Sequence, residues 1–120
     1  MTTLYGIPNC DTVKKSRAWF DEHQRPYTFH DFKKQGVPET ALKEWIAALG
    51  WEALLNKKGT TWRKLDAATQ ARVSDAPSAQ ALMLAHTSVI KRPVVTQTGQ
   101  VGQVGQAMRI TVGYVPQDWA

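Results

Sequence analysis

The order of segments predicts an α/β protein built on a mixed β-sheet, with a helical stretch inserted between its second and third strands. Three observations carry this reading. A short β-leaning segment passes through a tight loop into a helical segment and then an alternating one, and this βαβ order suits a parallel pair with a right-handed crossover. Residues 36–88 are mostly helical in pattern. Two further strands close the chain and suit an antiparallel hairpin.

Residues 2–6 are short and β-leaning, and Gly6, Pro8 and Asn9 behind them mark a tight loop. Over residues 11–24 Val13, Ser16 and Phe20 share one helical face, until Pro26 stops the helix. Tyr27 to Phe32 alternates aromatic and polar residues, as a half-buried strand does. Gly36-Val37-Pro38 resets the chain. Leu42, Trp45, Ile46 and Leu49 then fall at i, i+3, i+4 and i+7, with Pro38 suited to the first turn and Gly50 to the end. Asn56 to Thr61 reads as a basic loop containing a glycine. Two short helices are expected next, one capped by Asp66 and one by Ser78. Val89 to Thr96 reads as a third strand interrupted by Pro93, and Met108 to Val112 as a fourth. The remaining tail is too short for a long helix. Between the last two strands the triplet repeat from Gly99 to Gln106 spells GxxGxxG rather than GxGxxG, and no helix follows it. It reads as a hairpin extension, not as a phosphate loop.

No linker or break in composition divides the 120 residues, so a single domain is expected, with residues 36–88 as its insertion. At 42% apolar and 21% charged residues the composition is that of a soluble globular protein. A chain of this size buries roughly two-thirds of its unfolded surface and needs no metal or disulfide to fold. No apolar run approaches the ~20 residues that cross a bilayer. The segment Met1-Thr2-Thr3-Leu4-Tyr5 lacks the basic and apolar regions of a signal peptide. With a single cysteine in 120 residues, these features place the protein in the reducing cytoplasm. The net charge is +5, spread over Lys14-Lys15, Lys33-Lys34, Lys57-Lys58, Arg63-Lys64 and Lys91-Arg92. Such scattered pairs suit small anionic substrates and do not form a nucleic-acid tail. His23, His30 and His86 have no i, i+4 pair among them, and one cysteine cannot build a structural zinc site, so no metal is expected. Trp45 belongs to a core face. Trp62 lies in the basic loop, where either packing or stacking on a base is open, as stacking is for Trp119.

Cys10 stands between the first strand and the first helix. A helix start has unpaired N–H groups and a partial positive charge, and both stabilise a thiolate, the reactive form of cysteine. Lys14, one turn on, adds to the effect, while Asp11 opposes it. Val13 occupies the place where a CxxC pair would have its second sulfur. A resolving thiol must therefore come from outside the chain.

Four ordered segments carry a resemblance: Tyr5 to Lys15, Leu54 to Leu65, Lys91 to Val94 and Thr111 to Tyr114. Together they resemble the arsenate reductase (ArsC)/Spx family, most of all its YffB-like branch. The resemblance implies a thioredoxin-like core with the helical insertion already inferred. It also implies a cis Pro93 beside the cysteine, leaving the backbone at Arg92 open to pair with a substrate. In the family's arsenate reductases the cysteine attacks arsenate, glutathione forms a mixed disulfide, and three arginines hold the oxyanion. By position the cysteine is Cys10 and one arginine is Arg92. The others fall at Asn56, which Lys57 and Lys58 follow, and near Gly113. Spx proteins of the family bind the α subunit of RNA polymerase. Thr111 to Tyr114 resembles their C-terminal strand, but their CxxC switch is absent here.

The expectation is thus a glutathione-dependent thiol oxidoreductase with glutathione as co-substrate and no resident cofactor. Cys10 is its nucleophile, and Arg92 stabilises the thiolate and any bound anion. The N–H groups of Asp11 and Thr12 hold an anion at the helix start. Lys57, Lys58 and Arg63 attract the glutathione carboxylates, with Lys14, Asn56 and Pro93 completing the binding set. The alternatives are an arsenate reductase working with glutathione or glutaredoxin, and a non-enzymatic regulator that binds RNA polymerase. Direct binding of nucleic acid or membrane is not expected.

Overall fold

The computed structural model describes residues 1–98 and 109–119. In chain order its elements are β1 (Thr2–Gly6), α1 (Asp11–Glu22), β2 (Thr28–Asp31), α2 (Phe32–Gln35), α3 (Glu39–Leu49), α4 (Trp51–Leu54), α5 (Thr60–Lys64), α6 (Ala67–Ala71), α7 (Ala76–Ala85), a 3-10 turn (Thr87–Val89), β3 (Val94–Gln97), β4 (Arg109–Val112) and α8 (Pro116–Trp119). The strands form one mixed sheet in the order β2-β1-β3-β4. β1 runs parallel to β2 with Leu4 opposite Phe29, and antiparallel to β3 with Leu4 opposite Val95. β3 and β4 pair antiparallel, as expected of the last two strands. The Gly99–Gln106 repeat and Met108 lie outside the described residues.

The chain divides into two compact units, Met1–Gln35 with Arg92–Ala120, and Gly36–Lys91. The first holds the sheet. Its core is Leu4, Val13, Phe20, Val95 and Trp119, with Cys10, Trp19 and Tyr114 among the half-buried side chains packed against it. Val13 and Phe20 come from α1, which closes on the strand because Gly6 has no side chain. A Cβ there would sit 2.7 Å from Val13 Cγ2. Trp119 is a core residue and not a stacking surface, as it is only 1% exposed. Its indole N–H donates to Thr111 Oγ1 at 2.8 Å, its carbonyl accepts from Arg25 at 2.7 Å, and its ring meets Phe20 at 5.1 Å. A buried indole needs such a partner for its polar edge.

The second unit occupies the stretch read as the helical insertion and runs on to Lys91. α3 buries Leu42, Trp45 and Ile46, the stripe legible in the sequence. Gly50 ends it with φ at +85° and donates its N–H to the Ile46 carbonyl at 2.8 Å. Pro38 caps α3 from outside and is not in its first turn. Asp66 caps α6 as expected. Ser78, however, does not cap α7. Asp75 does, accepting from the Ser78 N–H at 3.0 Å, while the Ser78 hydroxyl closes the capping box on the Asp75 backbone. The strand expected from Val89 is shorter. Val89 ends the 3-10 turn, Ile90 makes an isolated antiparallel bridge with Leu55, and regular pairing begins at Val94.

Candidate active site

β1 ends at Gly6, and Ile7-Pro8-Asn9 turn the chain into α1. Cys10 is the N-cap, with extended backbone at φ −93° and ψ 127°. Its carbonyl accepts the first helical bond, from the Lys14 N–H at 2.9 Å. The thiol thus stands where a capping side chain stands and faces the free N–H groups of the first turn.

Arg92 reaches the same place along a neighbouring strand. β3 runs antiparallel to β1 with Tyr5 opposite Val94, so the start of β3 lies beside the end of β1. The Arg92–Pro93 peptide bond, just before β3, is cis. The Arg92 side chain hydrogen-bonds the Cys10 sulfur.

Five influences act on the thiol. Burial pushes its pKa up. The Val13 N–H, the Arg92 hydrogen bond, the Arg92 charge and the Thr12 N–H all push it down and together prevail, so Cys10 lies below an ordinary cysteine. More of it is thiolate at neutral pH, which makes it a better nucleophile and a good leaving group from a disulfide.

The sequence placed the anion-holding N–H groups at Asp11 and Thr12. For the sulfur they are Thr12 and Val13, one residue further on. An N-cap side chain bonds the second and third helical N–H, and that rule points to this pair. The cation acting on the sulfur is Arg92, and not the exposed Lys14. Asp11 is an exposed acid of the first turn. A contact unmarked in the sequence is Lys15, whose Nζ lies 4.2 Å from the Tyr114 ring centroid.

The other site residues belong to the second unit. Asn56, Lys57 and Lys58 line a depression of about 470 Å³ together with Glu52, Leu55 and Lys91. Asn56 Oδ1 accepts the Lys58 N–H at 3.2 Å, and Lys57 Nζ is 5.7 Å from the Trp62 ring centroid. Arg63 is in the last turn of α5 and is not part of this lining. Among the described residues no cluster of three or more His, Cys, Asp or Glu could hold a metal ion. None of their helices is long and apolar enough to cross a membrane.

The sequence profile of the ArsC family matches residues 5–120. The chain belongs to the ArsC family. An uncharacterized protein from Haemophilus influenzae is 37% identical over 100 residues, which cover 83% of this chain and 87% of that one. The global transcriptional regulator Spx of Bacillus subtilis is 22% identical over 107 residues, covering 88% and 79%. Among solved structures, the YffB protein is 44% identical with a TM-score of 0.85 over 99% of this chain and 96% of that one. An arsenate reductase (ArsC) related protein from Brucella melitensis is 43% identical with a TM-score of 0.70, over 98% and 90%. The ArsC sheet and its flanking helices are thioredoxin-like, as the resemblance in the sequence implied.

Proposed function

We propose that this ArsC-family protein is a thiol oxidoreductase that uses glutathione as co-substrate and Cys10 as its nucleophile. The observation that carries the reading is the arrangement at the start of α1, where a lone half-buried thiol is the N-cap of the helix and is made more acidic by the Val13 and Thr12 N–H groups and by Arg92. In the first step the Cys10 thiolate attacks the glutathione sulfur of a mixed disulfide. The S–S bond breaks, its electron pair leaves on the substrate sulfur, and that thiolate takes a proton from water. Cys10 and glutathione are now joined. A second glutathione thiolate attacks the glutathione sulfur of that bond, releasing oxidised glutathione and restoring the Cys10 thiolate. With one cysteine in the chain, the second thiol comes from solution.

Arsenate reduction is the competing reading, supported by the similarity to an arsenate reductase related protein. It asks for more fixed cations than this chain supplies. Gly113 has no side chain to offer, and its N–H is bonded to the Pro93 carbonyl at 2.9 Å. Asn56 is neutral. Losing one anion-holding donor costs ~3 kcal/mol, about a hundredfold in rate.

The deciding experiment runs both substrates side by side. Glutathione-coupled reduction of a small mixed disulfide is expected to proceed and to vanish in Cys10→Ser. Arsenate turnover is expected to be weak and to rise in Asn56→Arg. Robust arsenate turnover by the unaltered chain, with no disulfide reduction, would reverse the assignment.

A further inference from the structure

The depression in the second unit carries a charge pattern that a generic anion site does not need. Three lysines, Lys57, Lys58 and Lys91, line it against one acid, Glu52, so the lining stands at +2. Its backbone frame is fixed. The Lys91 N–H donates to the Leu54 carbonyl at 2.8 Å and the Asn56 N–H to the Val89 carbonyl at 2.7 Å, on either side of the Leu55–Ile90 bridge. Lys91 is therefore held to the segment that supplies Asn56, Lys57 and Lys58, although more than 30 residues separate them in the chain.

We infer that this lining is a recognition site for the zwitterionic end of a γ-glutamyl peptide, with Lys58 and Lys91 on its carboxylate and Glu52 on its ammonium. This rests on glutathione being the co-substrate and names what selects it. The γ-glutamyl end of glutathione carries an ammonium and a carboxylate on one carbon, and the glycyl end a second carboxylate. A purely basic patch would take any anion. One carboxylate among three ammonium groups favours a ligand that brings one positive and two negative charges. The side chain of Asn56 adds an amide donor to the same lining, and its oxygen is already used by the Lys58 N–H. Lys91 takes the part the sequence suggested for Arg63, which lies outside the lining.

The test uses the full chain as Cys10→Ser, titrated with S-methylglutathione, which cannot form a disulfide, and with its N-acetyl derivative, which lacks the ammonium. Backbone amide shifts are expected at residues 56, 58 and 91. Lys91→Gln and Lys58→Gln should each weaken S-methylglutathione binding about two- to fivefold, the range of one exposed ion pair. Arg63→Gln should leave it unchanged. Glu52→Gln should weaken S-methylglutathione by a similar factor but not the N-acetyl derivative. Shifts confined to other residues, equal effects of Lys91→Gln and Arg63→Gln, or equal effects of Glu52→Gln on both ligands would overturn the inference. Because no chemistry at Cys10 is read, binding with this pattern upholds the site even where disulfide reduction fails. Disulfide turnover with a KM indifferent to Lys91→Gln removes the site and leaves the activity standing.

Discussion

Gly6→Ala is expected to destabilise the protein, although such a change in a strand with ordinary φ commonly stabilises it by about 0.4–1 kcal/mol. The reason is distance. The new methyl would lie 2.7 Å from Val13 Cγ2, where ordinary contact begins at 3.4 Å. Val13 is fully buried, and its branched side chain has little rotameric freedom in a helix, so α1 itself must move outward. Overpacking of this kind costs ~1–3 kcal/mol, and about 2 kcal/mol would lower Tm by roughly 8 °C in a domain of this size. Val13→Ala alone removes two buried methyl-sized groups and costs about 2 kcal/mol, cavity included. The double variant has room for both changes. Its loss should fall short of the sum by ~1.5 kcal/mol, measured as urea unfolding free energies in a double-mutant cycle. The displacement has a chemical readout too. The Val13 N–H is the strongest of the influences holding down the Cys10 pKa, so Gly6→Ala should slow Cys10 alkylation near neutral pH. Additivity within about 0.5 kcal/mol, or an alanine variant more stable than the parent, would refute the reasoning.

Arg92→Ala removes both the hydrogen bond and the charge on the sulfur, so it should raise the Cys10 midpoint in a thiolate absorbance titration. It should also slow alkylation more than Arg72→Ala, a change in the second unit. The lowered pKa means that the folded state holds a Cys10 proton less tightly than the unfolded chain. Unfolding free energy should therefore climb as pH rises from the folded midpoint to the ordinary thiol value, and the climb should be absent in Cys10→Ser. The Ser78 hydroxyl and N–H hold Asp75 below the usual carboxylate range, so its stabilisation is present at neutral pH and lost as pH falls through the lowered value. Asp75→Asn keeps the cap and should erase that acid dependence in a Tm series. Trp119→Ala opens the core and should cost ~3–5 kcal/mol by urea denaturation.

How much was legible in the sequence depended on the length of each element. α1 and α3 span three turns each, enough for their apolar stripes to show, and both stood within two residues of where they were read. α2, α4, α5 and α8 have four or five residues each, less than two turns, and periodicity cannot register them. Ser78 was mistaken for a cap because serine and aspartate both serve, yet Pro77 in the first turn already pointed to a cap further upstream. Val89 and Ile90 are β-branched and looked like strand, but their N–H groups donate to His86 and Thr87 in the 3-10 turn, the Val89 carbonyl accepts from Asn56, and Ile90 only bridges Leu55. The setting of Cys10 was legible because its environment is local, a helix start at the next residue. The arrangement of Arg92 is a product of strand pairing, and motif resemblance alone could point to it. The Lys91 contribution to the basic lining needed a bridge between distant segments, which no local pattern encodes.

The pairing of β1 with β3 also sets a timetable. A ribosome makes Cys10 about 80 residues before Arg92. Until β3 has been synthesised and laid against β1, the cysteine has no guanidinium beside it, and a growing chain carries a thiol closer to ordinary acidity. Such a thiol is mostly protonated at neutral pH and slow to react with oxidants or with other nascent chains. The local N–H groups of α1 act early, but the share of the lowering that Arg92 supplies arrives only when β3 closes a loop of roughly ninety residues onto β1. The order of synthesis thus keeps the sulfur closer to an ordinary thiol until the strand that brings Arg92 into place has been made.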